Sequence, residues 1–440
     1  MIEKGKQLSK TEKHIEEYNP FEHRDVEKPN SDVRSLANLI KASLGSGLLA
    51  MPLAFSYAGW GVSIIGTMIV ALICGHCVHI LVKTSHGCCR LEKKPLLTYA
   101  ETCGAAFANG PKCLRPFAHG VYVFAEFSLF FTYVSVCCIF TVLIATSMKQ
   151  LFDTYVTSTK LPVEQYCLLL LVPLCCMCQV RHLKWLAPFS LVANLLLVAT
   201  FGICLYYIFG EEITYSDKKI VGDWSRLPAF LSTVIFAMEG LGVVMPVENT
   251  MKHPQHFLGC PGVLVVAMGT IMLLYTSLGL FGYFRYGDVL RGTITLNLPM
   301  DEWPAICAKI FITVSIFLTY PIHFFVVIDN YNRHVEPRVQ ERYRCIAQVA
   351  VRTFIVCFCC GVGIALPLLE QIINLVGAFF YSLLGLMVPG IIETVFRWQN
   401  LGRWHWVLWK NIFIVIFGIF CLISGCTVAI QDIIEISHKK

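Results

Sequence analysis

Two apolar stretches of the chain are interrupted by residues whose backbone could bind a small ligand. The first contains Gly45-Ser46-Gly47 and the second contains Glu239-Gly240-Leu241-Gly242, and each is followed by a proline, Pro52 or Pro246. If both stretches are helices that break here, their half-helix N-termini offer free N–H groups to a carboxylate. Their half-helix C-termini offer free carbonyls to an ammonium. The pattern therefore predicts a site for a zwitterion, and an amino acid carries both groups.

The residue types at the breaks allow a binding role and a packing role. Glycine lets a ligand approach the backbone closely, but glycines also allow close packing between membrane helices. Glu239 is the clearest functional candidate, because an ionisable group within a membrane is costly unless it is paired or hydrated. It could carry a proton, hold the ligand's amino group, or form an ion pair with Lys41, one turn before Gly45. A fixed structural ion pair is the alternative.

Three further residues are weaker candidates. Lys41 lies near the end of its predicted helix, where snorkelling is the more common role. Glu126, early in another apolar stretch, could form a gate pair or a structural pair. Tyr320, followed by Pro321, could close over the site, although an aromatic residue at helical spacing usually packs.

These residues require membrane helices to position them. Of 440 residues, 56% are hydrophobic and 15% are charged, which is too apolar for a protein with a water-facing surface. Crossing a bilayer takes about 20 apolar residues. The sequence predicts an all-α multi-pass membrane protein with about eleven such spans, near residues 35–57, 61–82, 120–148, 163–180, 187–209, 227–248, 261–284, 303–329, 347–366, 369–396 and 408–432.

The spacing of the two interruptions predicts an internal repeat. They fall in the first and sixth spans, as expected for an inverted five-plus-five repeat with a site near the midplane. The repeats would cover about 35–209 and 227–396, and an eleventh helix would cover 408–432. Residues 1–33 are polar and predict a flexible tail before a transmembrane domain of 34–432, and 433–440 form a short end.

Charge predicts the orientation in the bilayer. Lys and Arg are more frequent in the segments that lie on the same side as the N-terminus, which predicts a cytoplasmic N-terminus. The net charge of +6 follows from this asymmetry and does not indicate nucleic-acid binding. In the tail, Tyr18–Phe21 (YNPF) could be a signal for endocytic adaptors, or an ordinary turn.

Other chemistries are disfavoured. The dithiol spacing Cys74-Gly75-His76-Cys77 lies inside a predicted span rather than at the start of a helix in a βαβ unit, so an enzyme is not expected. A metal site from Cys74, His76, Cys77 and His79 has no complementary cluster. The 21 cysteines are interpreted as small packing residues. We expect no cofactor, with the proton as a possible coupling ion.

Two longer segments support a family resemblance. Ser35–Trp60 (SLANLIKASLGSGLLAMPLAFSYAGW) and Phe236–Lys252 (FAMEGLGVVMPVENTMK) resemble the signature segments of the proton-coupled amino acid transporters, within the amino acid/auxin permease superfamily. The tail sequence YNPFEHR is similar to that of insect members. The resemblance implies a LeuT-like fold, alternating access and small neutral amino acids such as alanine, glycine and proline. The resemblance also implies that the substrate is bound by Gly45, Ser46, Gly47, Glu239, Gly240 and Gly242.

One departure from the family pattern concerns coupling. Asn38, in SLANLIK, stands where well-known proton-coupled members have a histidine, and asparagine cannot titrate near neutral pH. Glu239 could carry the coupled proton instead, or transport could be uncoupled from protons, as in a pH-independent facilitator. A sensor that binds amino acids with little flux uses the same residues. The family occurs at the plasma membrane and on endolysosomes, and the outer disulfide of vertebrate members is not expected here.

Overall fold

The computed structural model describes residues 18–25, 29–43, 45–155, 161–181, 183–210, 215–238 and 240–439. Within these ranges the regular structure is helical, apart from one isolated bridge between Asn30 and Met251. The principal helices are α1 (Asp32–Ser43), α2 (Ser46–Ala58), α3 (Trp60–Glu92), α4 (Tyr99–Ala108), α5 (Ala118–Tyr155), α6 (Val163–Cys178), α7 (Leu183–Phe209), α8 (Leu227–Ala237), α9 (Leu241–Asn249), α10 (Val263–Tyr286), α11 (Trp303–His334), α12 (Glu341–Ala365), α13 (Leu369–Phe396) and α14 (Trp406–Lys439).

The number of membrane-length helices is close to the predicted eleven. In the described part of the chain, nine helices are long and apolar enough to cross a membrane, and the pair α1–α2, bent by 52°, makes a tenth. The span predicted at 163–180 is α6, which has 16 residues and an internal proline, Pro173. At 1.5 Å per residue, α6 is about 24 Å long, shorter than a bilayer core of roughly 30 Å.

Two helices form the centre of the bundle. In α2 and α8, residues are buried along nearly the whole length of the helix, as expected for helices that are apolar on all sides. They pack against each other, and α10 packs along α2. Peripheral helices instead expose large apolar side chains that fit a lipid surface, such as Leu72, Leu195 and Phe354. The central position of α2 and α8 brings the two predicted breaks together.

Part of the predicted tail lies against the membrane domain. Helix α1 already begins at Asp32, and residues 18–25 pack on the face where α1 begins, here called the amino-terminal face. Arg24 Nη2 lies 3.0 Å from Glu248 Oε1 of α9, and Arg24 Nε donates to Pro95 O at 3.0 Å. His86 Nε2 is 2.7 Å from the same Glu248 oxygen. Residues 18–25 of the predicted tail therefore contact the membrane domain, where Arg24 neutralises a buried carboxylate, and the flexibility of the tail stays a prediction. Residues 1–17 and 26–28 lie outside the described ranges.

Candidate functional site

Both predicted breaks are present in the fold. Helix α1 ends at Ser43 and α2 begins at Ser46, with Gly45 as its N-cap. Helix α8 ends at Ala237 and α9 begins at Leu241, with Gly240 as its N-cap. Glycine has no side chain to cap the N–H groups of the first turn, so these donors face whatever occupies the break. Glu239, predicted at the centre of the second break, lies outside the described residues.

One cavity of about 320 Å³ brings the two breaks together. Its walls come from the breaks and from α5, α7, α11 and α13. The predicted residues that line it are Asn38, Lys41, Gly45, Ser46, Gly47, Gly240 and Gly242. The sequence-predicted site therefore forms a single cavity from residues almost 200 positions apart in the chain.

The four glycines of this cavity fall into two kinds. Among the described residues, no neighbouring atom lies within 4 Å of a Cβ built on Gly45, and the nearest atom to a Cβ on Gly240 is Ser43 Oγ at 3.8 Å. A Cβ on Gly47 would instead be 2.6 Å from the Ala237 Cα. A Cβ on Gly242 would overlap the Tyr133 hydroxyl. Gly45 and Gly240 therefore leave space for a ligand, whereas the other two allow close packing.

A buried tyrosine connects the two breaks, and sequence reasoning missed it. The Tyr275 hydroxyl, on α10, donates to Ala237 O at 2.9 Å and also contacts Ser43 O. These carbonyls belong to the C-terminal ends of α8 and α1. A fully buried phenol in an apolar helix needs a hydrogen-bond partner, which is the signal that could have identified it. Tyr275 therefore contacts the carbonyls at both helix ends, and the Ser43 carbonyl also accepts a hydrogen bond from Gly45 N at 2.8 Å.

The cavity also contains a histidine that sequence reasoning missed. His323 of α11 lines the cavity, and its ring centroid is 5.0 Å from that of Phe140 and 6.1 Å from that of Tyr133. Its Nδ1 is 3.4 Å from Thr319 O. An ionisable residue within a predicted span is the same signal that singled out Glu239. His323 supplies the cavity with the imidazole that Asn38 lacks.

Tyr320 does not take the predicted position over the site. It is not among the described residues that line the cavity, and its fully buried ring stacks with that of Phe324 at a centroid distance of 6.3 Å. The cavity-facing residues of α11 recur at helical spacing, as with Ile316, Thr319 and His323. Tyr320 lies about 40° around the helix from Ile316, just beyond the edge of this stripe.

The two charged candidates lie in different places. Lys41 lines the cavity and is half-buried. Glu126 lies instead at the amino-terminal face, where its Oε2 accepts from Asn330 Nδ2 at 2.5 Å and its Oε1 is 3.6 Å from Arg333 Nη1. These contacts connect α5 to α11. Glu126 thus has the structural pairing that the sequence offered as one alternative.

Other chemistry has little support in the described residues. All 21 cysteines lie in the described part of the chain and are free, so their interpretation as packing residues rather than disulfides is consistent with the structure. No group of three or more His, Cys, Asp or Glu side chains that could hold a metal was found there.

Comparisons with known proteins agree on the fold and the family. The family described as "Transmembrane amino acid transporter protein" matches residues 28–431. The chain is 39% identical, over 95% of its length and 88% of the relative's, to the proton-coupled amino acid transporter-like protein pathetic of Drosophila melanogaster. It is 25% identical to the amino acid transporter ANT1 of Arabidopsis thaliana, over 90% and 91% of the two chains.

A solved structure with low sequence identity shows the same fold. The inward-facing conformation of Mhp1 superposes with a TM-score of 0.54 at 12% identity, over 95% of this chain and 92% of that chain. The predicted LeuT-like, all-helical architecture is therefore confirmed. The resemblance read from Ser35–Trp60 and Phe236–Lys252 is confirmed as well. A transporter family and fold, rather than an enzyme family, accounts for the whole chain.

Proposed function

We propose that this chain, which belongs to the family of transmembrane amino acid transporter proteins, is a secondary transporter that moves small neutral amino acids by alternating access. The observation that carries the proposal is that both helix breaks line one cavity, with open space at Gly45 and no close contact at Gly240. The free N–H groups after these glycines suit a carboxylate. The remaining lone pair of the Ala237 carbonyl suits an ammonium.

The size of the cavity supports small substrates. Its volume of about 320 Å³ is near the lower end of the roughly 300–1,000 Å³ that is common for ligand pockets. Phe140, Phe236 and Ile316 contribute apolar walls, which suit a short side chain and disfavour a charged one. Alanine, glycine and proline are therefore the substrates we expect.

We further propose that the proton is the coupling ion and that a titratable group of the cavity carries it. Asn38 lines the cavity but cannot titrate, whereas His323 lines the same cavity with an imidazole. Glu239 is adjacent to Gly240 in the chain and is the second group to test. Replacing Glu239 by Gln should abolish or strongly impair uptake while surface expression is kept. Unchanged kinetics in that variant would remove Glu239 from the mechanism.

The proposed orientation places the amino-terminal face in the cytoplasm, in the plasma membrane or an endolysosomal membrane. The excess of Lys and Arg on that side supports it. Adaptor binding through Tyr18–Phe21 would require this segment to leave its docked position. The Phe21 ring is half-buried, with its centroid 4.9 Å from that of His86 and 5.3 Å from Arg24 Cζ.

The test is uptake of labelled alanine, glycine and proline into cells that express the protein, at external pH of about 5.5 and about 7.5. Saturable uptake that increases at acidic pH is the expected result. Saturable uptake that is independent of pH would indicate a facilitator and contradict proton coupling. Binding of these amino acids by surface-expressed protein without uptake would contradict the transport proposal and indicate a sensor.

A further inference from the structure

A second and larger cavity opens on the face opposite the amino-terminal face. Its volume is about 630 Å³, and it lies between the end of α5, the segment after α10 and the start of α11. None of its described lining residues also lines the central cavity. Lys309 in this outer cavity and His323 in the central cavity are separated by about 21 Å along α11, at 1.5 Å per residue.

A buried lysine contributes a basic side chain to the wall of the outer cavity. Lys309 lines it but is only 1% exposed. Its ammonium donates to Met300 Sδ at 2.6 Å, and no carboxylate of the described residues forms an ion pair with it. A thioether is a weak acceptor, and an ammonium has three donors to satisfy. Arg291 lines the same cavity. An anion or strong acceptors beside such a lysine would offset the cost of its desolvation and favour its charged form.

The same cavity also contains unused acceptors. Asp153 Oδ2 pairs with Lys149 Nζ at 2.9 Å, but Asp153 Oδ1 is buried and has no hydrogen-bond partner among the described residues. Gln150 donates through Nε2 to Leu296 O at 3.3 Å, while its Oε1 is also buried without such a partner. Buried acceptors are nearly always satisfied in a folded protein. Asp153 Oδ1 and Gln150 Oε1 are therefore two acceptors that the described residues leave open to a further donor.

We propose that the outer cavity is a second binding site, separate from the central cavity, for a small zwitterionic amino acid. Lys309 and Arg291 bind the carboxylate, and Asp153 Oδ1 and Gln150 Oε1 accept hydrogen bonds from the ammonium. A simple anion would satisfy only the two cationic side chains, and a simple cation would satisfy only the two acceptor oxygens. The inference rests on the proposed function for its ligand class, although the residues that carry it are different.

Equilibrium binding of labelled alanine to the purified full-length protein in lipid nanodiscs tests the proposal. We expect saturation at two alanines per chain for the unchanged protein and at one for Lys309→Met. Gly45→Leu, which fills the central cavity, should also reduce saturation to one. Lys112→Met, which removes an exposed lysine outside both cavities, is the matched control and should still bind two.

The outcomes separate this inference from the proposed function. Unchanged saturation in Lys309→Met would overturn the outer site, whatever Gly45→Leu does. Loss in Lys309→Met with no loss in Gly45→Leu would keep the outer site and count against the central one. Asp153→Asn is a second variant in case Lys309→Met does not fold, and it should also lose one alanine. Displacement of outer-site alanine by acetate as readily as by glycine would overturn the zwitterionic assignment, because acetate lacks the ammonium.

Discussion

Two groups of residues lie at the helix breaks: one group faces the cavity, and the other packs the helices together. Gly45, Gly240 and His323 face the cavity, where there is space for a ligand. Gly47 and Tyr275 hold the half-helices together through a close contact or hydrogen bonds, and Gly242 packs α9 against Tyr133 of α5. The two groups alternate along a few residues of chain, so the binding surface is one residue away from the packing that supports it. Substitutions in the first group should remove binding from a folded protein, and those in the second should remove the fold.

The largest effect is expected at a packing glycine. Gly47→Val places a Cβ 2.6 Å from the Ala237 Cα, a backbone atom that can move only if α2 and α8 separate. Overpacking of this kind typically costs about 1–3 kcal/mol. We expect a sharp fall in monodisperse protein, measured by size-exclusion chromatography after detergent extraction. A normal yield with an unchanged melting temperature would show that the contact between α2 and α8 is not limiting.

The matched substitution at a cavity glycine should keep the fold and remove uptake. Gly45→Leu and Gly240→Leu extend side chains into open space or ordinary contact distances, where a substrate would otherwise lie. We expect at least a tenfold fall in uptake of labelled alanine, equivalent to about 1.4 kcal/mol, with surface protein close to normal. Retained alanine affinity in either variant would assign that glycine to helix packing and remove the distinction between the two groups.

The sequence predicted where the glycines of the breaks lie, but it could not predict which of them face the cavity and which pack against a neighbour. Helix interruption is local, so Gly45-Ser46-Gly47 and Gly240 with Gly242 could be identified from residue types and spacing alone. Which glycine packs depends on the partner across the interface, such as Ala237 for Gly47 or Tyr133 for Gly242, and that pairing is set by the three-dimensional fold. Sequence spacing likewise could not show that His323 lines the cavity and Tyr320 does not, because residues three apart in a helix lie close together on its surface.

Tyr275 should have a smaller effect on stability than Gly47. Tyr275→Phe keeps the ring but removes the hydroxyl that bonds the carbonyls of Ser43 and Ala237. The Ser43 carbonyl keeps its hydrogen bond from Gly45 N, but the Ala237 carbonyl loses its bond from the hydroxyl. Leaving a buried carbonyl unsatisfied costs about 1–3 kcal/mol, so we expect a lower melting temperature in a thermal-stability assay. Tyr283→Phe, on the same helix, loses a 3.3 Å hydrogen bond to Asp288 and should change the melting temperature less. Equal losses in the two variants would contradict a special role for the connection between the breaks.

The smallest and most specific effect is expected at His323. His323→Gln keeps a polar side chain in the cavity and removes titration near neutral pH. If the imidazole carries the coupled proton, uptake at pH of about 5.5 should fall toward its value at about 7.5, while surface protein stays normal. Binding of alanine at neutral pH should be nearly unchanged, because the neutral imidazole and the amide are both uncharged. Asn38→His is the complementary variant, since it adds a titratable group to the same cavity and should increase uptake at acidic pH. Full acid stimulation in His323→Gln would assign coupling to Glu239 and leave His323 as a wall of the cavity.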